Sequence, residues 1–294
     1  MAGRRVLRTT GFLLATTSVA ALMTVPSAVA DPASASPMTR SLQIGLCWAP
    51  GSAESKKLAA MINRRLTAAV RVKRFSSVGF SLTDRTTGVA CNYRGNWHTE
   101  SASTVKATLV ATLLWTRQRQ HRALSRRERT WCRNAIRISD NASAAHLWDA
   151  VGRNPGVRKF LRAAKMRQTH PLVRQYWGNT QITAADQVRL MFVLHSSTSV
   201  LNRQSRRFET RLLRTVVASQ RWGAPAGVGR DAVVENKNGW GPRRWRGWRI
   251  NSVAYVTNPN HTYALAVLSD KNPNMTYGVH TIGRIARTAN LALR

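Results

Sequence analysis

The chain has 294 residues and carries 46 Lys and Arg against 12 Asp and Glu, a formal net charge of +34. Such a charge attracts polyanions in a strongly salt-dependent way. Three cysteines without a C-x-x-C pair exclude a cysteine-based zinc site, and past the N-terminus no stretch reaches the roughly 18 apolar residues that a membrane span requires.

Taken in chain order, Arg4, Arg5 and Arg8 form a basic start, Gly11 to Val25 is mostly apolar, and Ala28-Val29-Ala30 is a small-residue cleavage pattern before Asp31. Residues 1–30 therefore read as a secretory signal, and the expected location is extracellular. The Arg4-Arg5 pair is compatible with twin-arginine export, although a Sec signal also starts with arginines. Removing the signal leaves a charge of +31. Residues 31–50, with a Pro/Ala/Ser stretch from Pro32 to Pro37, read as a flexible lead-in, and 51–294 as one domain.

Within that domain, Leu58, Met61, Ile62 and Leu66 recur at helical spacing over 53–70. Val78, Phe80 and Leu82 alternate as a strand; Asp84 to Gly88 is a turn, and Val89 to Tyr93 the return strand. Helices follow at 103–118, 125–136, 142–151, 157–164, 184–196 and 205–219, a helical subdomain over about 103–219. Strands return at 233–237, 250–256 and 262–268, and a helix over about 277–291 closes the chain. This order is α+β: an antiparallel sheet built from both ends of the chain, with a helical block beside it.

Three polar motifs stand in one order: Ser103-Thr104-Val105-Lys106, Ser139-Asp140-Asn141 and Lys237-Asn238-Gly239. Together they supply a nucleophile, a base and a proton relay from distant segments. Ser103 opens an apolar run, Ala107 to Trp115, without a charge, which reads as a buried helix. Three residues of helical spacing place Ser103 and Lys106 on one face. The positive end of the helix disfavours an ammonium and so helps keep Lys106 neutral. Each motif also has an ordinary structural reading: Ser103 as an N-cap, Ser139-Asp140-Asn141 as a cap before the next helix, Lys237-Asn238-Gly239 as a strand end entering a turn.

The three motifs in this order resemble the serine beta-lactamase and penicillin-binding (DD-peptidase) superfamily. The chain is most similar there to secreted actinobacterial class A beta-lactamase-related serine hydrolases. Ile138 to Ala145, Trp177-Gly178-Asn179-Thr180, Thr183 to Gln187, Ser219 to Gly223 and Leu268-Ser269-Asp270 add to the likeness, which runs from about Phe75 to about Ala286. The resemblance implies a beta-lactamase/transpeptidase-like fold and a cofactor-free serine hydrolase. It implies Ser103 as the acylated nucleophile, Lys106 as its base, Ser139 as proton donor to the leaving nitrogen and Lys237 as its electrostatic partner. Asn141, Asn238 and Gly239 would bind substrate, and the N–H groups of Ser103 and Trp240 would form the oxyanion hole.

Two departures stand out. Asn238 replaces the hydroxyl usual in the third motif, so its amide would face the substrate carboxylate. No Asp or Glu occurs between Asp149 and Asp186, where class A enzymes place the glutamate that deacylates them. His170 is the only base titrating near neutrality in that stretch. The segment between the first two motifs is also shorter than usual, trimming the helical part. Slow deacylation is therefore expected, on an amide, beta-lactam or D-alanyl peptide carbonyl.

The other reading is a catalytically silent member of this fold that binds anionic polymers. The tract Arg243-Arg244-Trp245-Arg246-Gly247-Trp248-Arg249 interleaves arginine and tryptophan as nucleic-acid grooves do, or forms a hairpin whose tryptophans pack and whose arginines are solvated. No nucleic-acid motif accompanies it, so no specific nucleic acid is expected; the partners are a small-molecule or peptidoglycan-like substrate and anionic wall polymers, and the protein is expected to be a monomer. Cys47, Cys91 and Cys132 allow one disulfide and a spare thiol, with three pairings open. No metal site is expected.

Overall fold

A computed structural model describes residues 46–71, 76–172 and 176–294. The signal segment 1–30 and the lead-in up to residue 45 lie outside the described residues. From residue 46 the chain already belongs to the fold. Strand β1 (Cys47–Trp48) pairs with β3 (Ala90–Tyr93), and a disulfide joins Cys47 to Cys91. The expected lead-in over 31–50 is therefore too long at its C-terminal end.

Helix α1 (Ala53–Arg71) precedes β2 (Ser77–Asp84), which pairs with β3. Short β4 (Thr99–Glu100) leads through a 3-10 turn, Ala102–Thr104, into α2 (Val105–Arg119). The helical block continues with α3 (Arg126–Arg137), α4 (Asn141–Ala150), α5 (Arg153–Ala163), α6 (Ala184–His195) and α7 (Arg203–Arg214), and β5 (Gln181–Ile182) lies between α5 and α6. Strands β6 (Val233–Arg243), β7 (Gly247–Thr257) and β8 (Thr262–Asn272) and helix α8 (Met275–Asn290) complete the chain. The main sheet has the order β1-β3-β2-β8-β7-β6, and every pairing in it is antiparallel.

The alternation of side chains along β7 and β8 builds two cores. Ala254, Val256, Tyr263, Leu265 and Val267 pack with Ile62 and Leu66 of α1 and Ile282 and Ile285 of α8. Val253, Tyr255, Ala264, Ala266 and Leu268 face α2 and α6 on the other side. A sheet covered on both faces needs apolar residues at successive positions, which is why these strands read as continuous apolar runs. Helix α2 is the pillar of the second core: every residue from Val105 to Leu114 is buried.

Caps set the helix starts. Ser125 and Glu128 form a reciprocal capping box on α3. Asp140, Thr183, Asn202 and Asn274 cap α4, α6, α7 and α8 through side-chain oxygens. Helix α5 starts at Arg153, four residues before the expected position, and so includes Pro155. Proline is tolerated in a first turn, whose N–H groups have no intrahelical partner. Helix α7 stops at Arg214, five residues early, and a separate 3-10 turn covers Ala218–Gln220.

The largest departure from the sequence reading is in β6. The strand does not end at Lys237 but runs on through Asn238, Gly239, Gly241 and Pro242 to Arg243. Two glycines and a proline look like a strand terminator. They are accommodated because β6 is the edge of the sheet, where a missing N–H on one side breaks no ladder.

Candidate active site

The turn bearing Ser103 is held from three sides. Ser101 donates its N–H to the Thr180 carbonyl (2.8 Å) and its hydroxyl to the Gly178 carbonyl (3.2 Å). From β7, Asn251 donates its amide to the carbonyls of Glu100 (2.9 Å) and Ser101 (3.2 Å). From β6, Gly239 lies so close that a Cβ there would stand 2.5 Å from Ser101 O, Thr104 N and Thr104 Oγ1. Within this clamp Ala102 has φ +45°, a left-handed conformation that a non-glycine residue adopts at a cost of about 1–3 kcal/mol. Ser103 is thus presented from a 3-10 turn just ahead of α2 rather than from the first turn of the α-helix.

Lys106, in the first turn of α2, is fully buried. Its amine reaches the Ser139 carbonyl, the Ser139 hydroxyl (3.2 Å) and Asn141 Oδ1 (2.8 Å); its hydrogen bonds go to the second motif rather than to Ser103. Burial pushes its pKa from the usual lysine value down to about 7, against the opposing pull of Asp140. Burial, and not the helix end, is the main cause. The Trp177 ring, 4.8 Å from Nζ, offers its face to the ammonium form.

Ser139 joins α3 to α4 in a left-handed conformation, φ +59°. Next to it Asp140 caps α4 by accepting the Ser143 N–H at 2.6 Å. This junction directs the Ser139 hydroxyl at two amines, Lys106 at 3.2 Å and Lys237 at 3.0 Å. Lys237 is also fully buried, and its Nζ donates to the Asn238 carbonyl at 2.8 Å. Burial first and the Lys106 charge second hold its amine well below the ordinary lysine range. Two buried amines sharing one hydroxyl disfavour a charge on both at once.

Asn141 turns Oδ1 to Lys106, which leaves its amide N–H groups on the exposed side. Asn238 does not face a substrate carboxylate. It is fully buried, with its amide nitrogen donating to the carbonyls of Gln220 (2.8 Å) and Trp222 (3.1 Å) and its oxygen accepting from Ser252 (2.6 Å). Strand alternation puts it on the face opposite Lys237 and Gly239, and there it anchors the 220–222 segment. Trp240 is half-buried and packs edge-to-face on Trp222.

The segment between α5 and α6 contains no Asp or Glu, and the next carboxylate, Asp186, stands in the first turn of α6. Asp186 is buried and accepts from the Gln168 N–H and the Thr169 hydroxyl, each at 2.8 Å. His170 stacks on His98 and pairs through its backbone with Gln181, and burial holds its pKa below the usual histidine value. What the segment does contribute is Trp177, under Lys106, and the exposed Tyr176, whose ring lies tilted against it.

The arginine–tryptophan tract matches neither of its two descriptions fully. Arg243 and Arg249 both pair with Glu100, and Arg243 also pairs with Asp270, so these two arginines are internal. Trp248 packs on the core, whereas Trp245 stands 91% exposed at the hairpin tip beneath Arg244. Glu100, which immediately precedes the clamped turn, is thereby fixed in place. Sequence reasoning missed Glu100, Ser101, Asn251 and Trp177. Only Trp177 carried a local signal, the Trp-Gly-Asn-Thr turn.

Comparison with curated proteins finds no match. Among solved structures, one described as PBP-A superposes with a TM-score of 0.68 at 16% identity, over 79% of this chain and 94% of that chain. A mutant of PBP-A is described as an acyl-enzyme complex with penicillin G. A beta lactamase from Burkholderia vietnamiensis gives 0.66 at 17% identity, covering 78% of this chain and 95% of its own. A class A beta-lactamase representative from Bacteroides cellulosilyticus gives 0.68 at 14%, covering 80% and 96%. At these identities the likeness is one of fold, and the fold is beta-lactamase/transpeptidase-like. The sequence model described as the beta-lactamase enzyme family matches residues 120–293, which include Ser139 and Lys237 but begin after Ser103 and Lys106. Over more than half its length, then, the chain carries that signature, and it belongs to the beta-lactamase enzyme family.

Proposed function

We propose that the protein is a serine hydrolase that forms an acyl-enzyme on an amide or lactam carbonyl, of beta-lactams or D-alanyl peptides, and deacylates slowly. The observation that carries this reading is the Ser139 hydroxyl held within hydrogen-bond distance of two fully buried lysines. A protein has little structural use for two desolvated amines side by side, and proton transfer needs them.

In the proposed reaction the Ser103 oxygen attacks the carbonyl carbon while its proton passes to neutral Lys106, one turn along the same face. The resulting oxyanion is met by the N–H groups of Ser103 and Trp240. Asn238 turns its carbonyl to Lys237 on the cleft side of the edge strand, and the N–H two residues on shares that side. As the carbon–nitrogen bond breaks, Ser139 gives its proton to the leaving nitrogen and recovers one from Lys106, restoring the neutral base. Asn141 is left with amide donors for the substrate.

Slow release follows from the intervening segment 164–183, which contains no Asp or Glu, while Asp186 in the first turn of α6 is occupied by Gln168 and Thr169 of that segment. The export reading belongs to the same proposal; the Cys47–Cys91 disulfide suits an oxidising compartment. The test is intact mass spectrometry after exposure to penicillin. A persistent adduct of one penicillin, absent in Ser103→Ala, is expected. Rapid turnover without an adduct would overturn the slow step, and an adduct retained in Ser103→Ala would overturn the nucleophile.

A further inference from the structure

At the far end of α2, about 16 Å along the helix from Ser103 at 1.5 Å per residue, lies a cavity of about 510 Å³ that the chemistry above does not use. It opens between the C-terminal turns of α2, the 122–129 segment and the first turns of α7. Its apolar surface comes from Leu114, Leu124 and Phe208, all packed against the core. Six arginines line it and no acidic residue does.

Those arginines divide into two sets. Arg117 and Arg122 are held by Glu128, at 2.7 and 2.8 Å, and Arg129 donates to the Leu124 carbonyl. Arg203, Arg207 and Arg211 follow one another every fourth residue along one face of α7, about 6 Å apart. All three are exposed, and among the described residues no hydrogen bond or ion pair engages their guanidinium groups. The frame around them is fixed: Gln118 accepts the Asn202 N–H at 2.7 Å and donates to the Val200 carbonyl at 3.1 Å, tying α2 to the start of α7. The positive end of α7 faces the same opening.

We propose that this cleft is a second binding site, for a phosphate group carried on a compact apolar group. The volume falls in the range of small-ligand sites. Guanidinium forks match phosphate oxygens bidentately, and the apolar wall takes the remainder of the ligand. Diffuse surface charge would bind any polyanion, but it would not distinguish an apolar phosphate from a bare one.

The probe is 1-naphthyl phosphate, titrated by calorimetry at 0.15 M salt against inorganic phosphate and 1-naphthol. It should bind at least tenfold more tightly than either. Arg207→Glu with Arg211→Glu should weaken it at least tenfold, whereas Arg64→Glu with Arg65→Glu, on exposed positions of α1, should leave it within twofold. Should the reversed pair not fold, as judged by its thermal transition, Arg203→Gln with Arg207→Gln replaces it, with a loss of at least fivefold expected. Equal weakening by the α1 pair would reduce the site to general charge and sink the proposal. So would absence of binding, or inorganic phosphate binding as tightly as the naphthyl ester. None of these readouts depends on acylation of Ser103, so this site and the serine chemistry stand or fall separately.

Discussion

Gly239→Ala probes the contact on which the candidate active site depends. The added methyl would stand 2.5 Å from Ser101 O, Thr104 N and Thr104 Oγ1, where ordinary contact begins at 3.4 Å, so the strand and the turn must part by about 0.9 Å. Two of those three atoms are backbone. The turn is already pinned by Thr180, Gly178 and Asn251, so it has little room to yield. Forcing a methyl into such packing costs about 1–3 kcal/mol, which for a domain of this size lowers the midpoint by roughly 3–10 °C. The functional effect should be larger, because the displacement separates Ser103 from Lys237 and Trp240. A misplacement near 1 Å slows positioned chemistry by about 100-fold. Gly241→Ala on the same strand is the control: its nearest neighbour is Arg249 Nη2 at 3.8 Å, the far end of a flexible side chain. The assay pairs thermal unfolding with the second-order rate of labelling by a fluorescent penicillin. If Gly239→Ala melted and labelled like Gly241→Ala, the close approach of strand and turn, and the argument built on it, would be refuted.

The remaining expectations are quicker to state. With Lys106 near 7, the labelling rate should climb as pH rises through about 7 and then level off; a profile flat from pH 5 to 9 would remove Lys106 as the base. The same depressed pKa predicts a stability trend whose sign is unusual. Between about pH 7 and 9 the unfolded chain holds a proton on this lysine that the folded protein lacks, so stability should rise with pH by up to about 1.4 kcal/mol per unit. Lys106→Met should flatten that slope in urea titrations, and an unchanged slope would contradict the burial argument. Reducing the Cys47–Cys91 bridge, which closes a loop of 44 residues, should lower stability by about 3–4 kcal/mol in calorimetric scans, and Cys47→Ser with Cys91→Ser should match the reduced protein. A midpoint that did not move would mean that β1 adds nothing to the sheet.

Much of this was legible in the residues because it depends on local pattern. The alternation at 78–82, the uncharged run at 107–115 and the helical spacing at 58–66 are short-range signals, and the α+β order follows from such patterns. The three motifs also contain Lys106, Ser139 and Lys237, and the fold brings the Ser139 hydroxyl within hydrogen-bond distance of both amines. What escaped depends on partners far along the chain. Asn238 looks like a substrate contact until Gln220, Trp222 and Ser252 take up its amide. Gly239 and Pro242 look like the end of a strand until β6 proves to be an edge lying against the serine turn. Arg243 and Arg249 look solvated until Glu100 arrives from about 145 residues away. The left-handed backbone at Ala102 and Ser139 had no sequence signal, since neither is Gly or Asn.

A strongly cationic chain buries two lysine amines side by side, both held below the ordinary lysine range by burial. When an anionic ligand settles beside Lys106 and Lys237, its field makes protonation of the pair favourable again, so docking should draw hydrogen ions from the medium. The heat of association would then depend on the buffer, larger or smaller according to its own ionisation enthalpy. Affinity for acidic ligands would fall as alkalinity empties the pair, in opposition to the pH dependence of the chemical step.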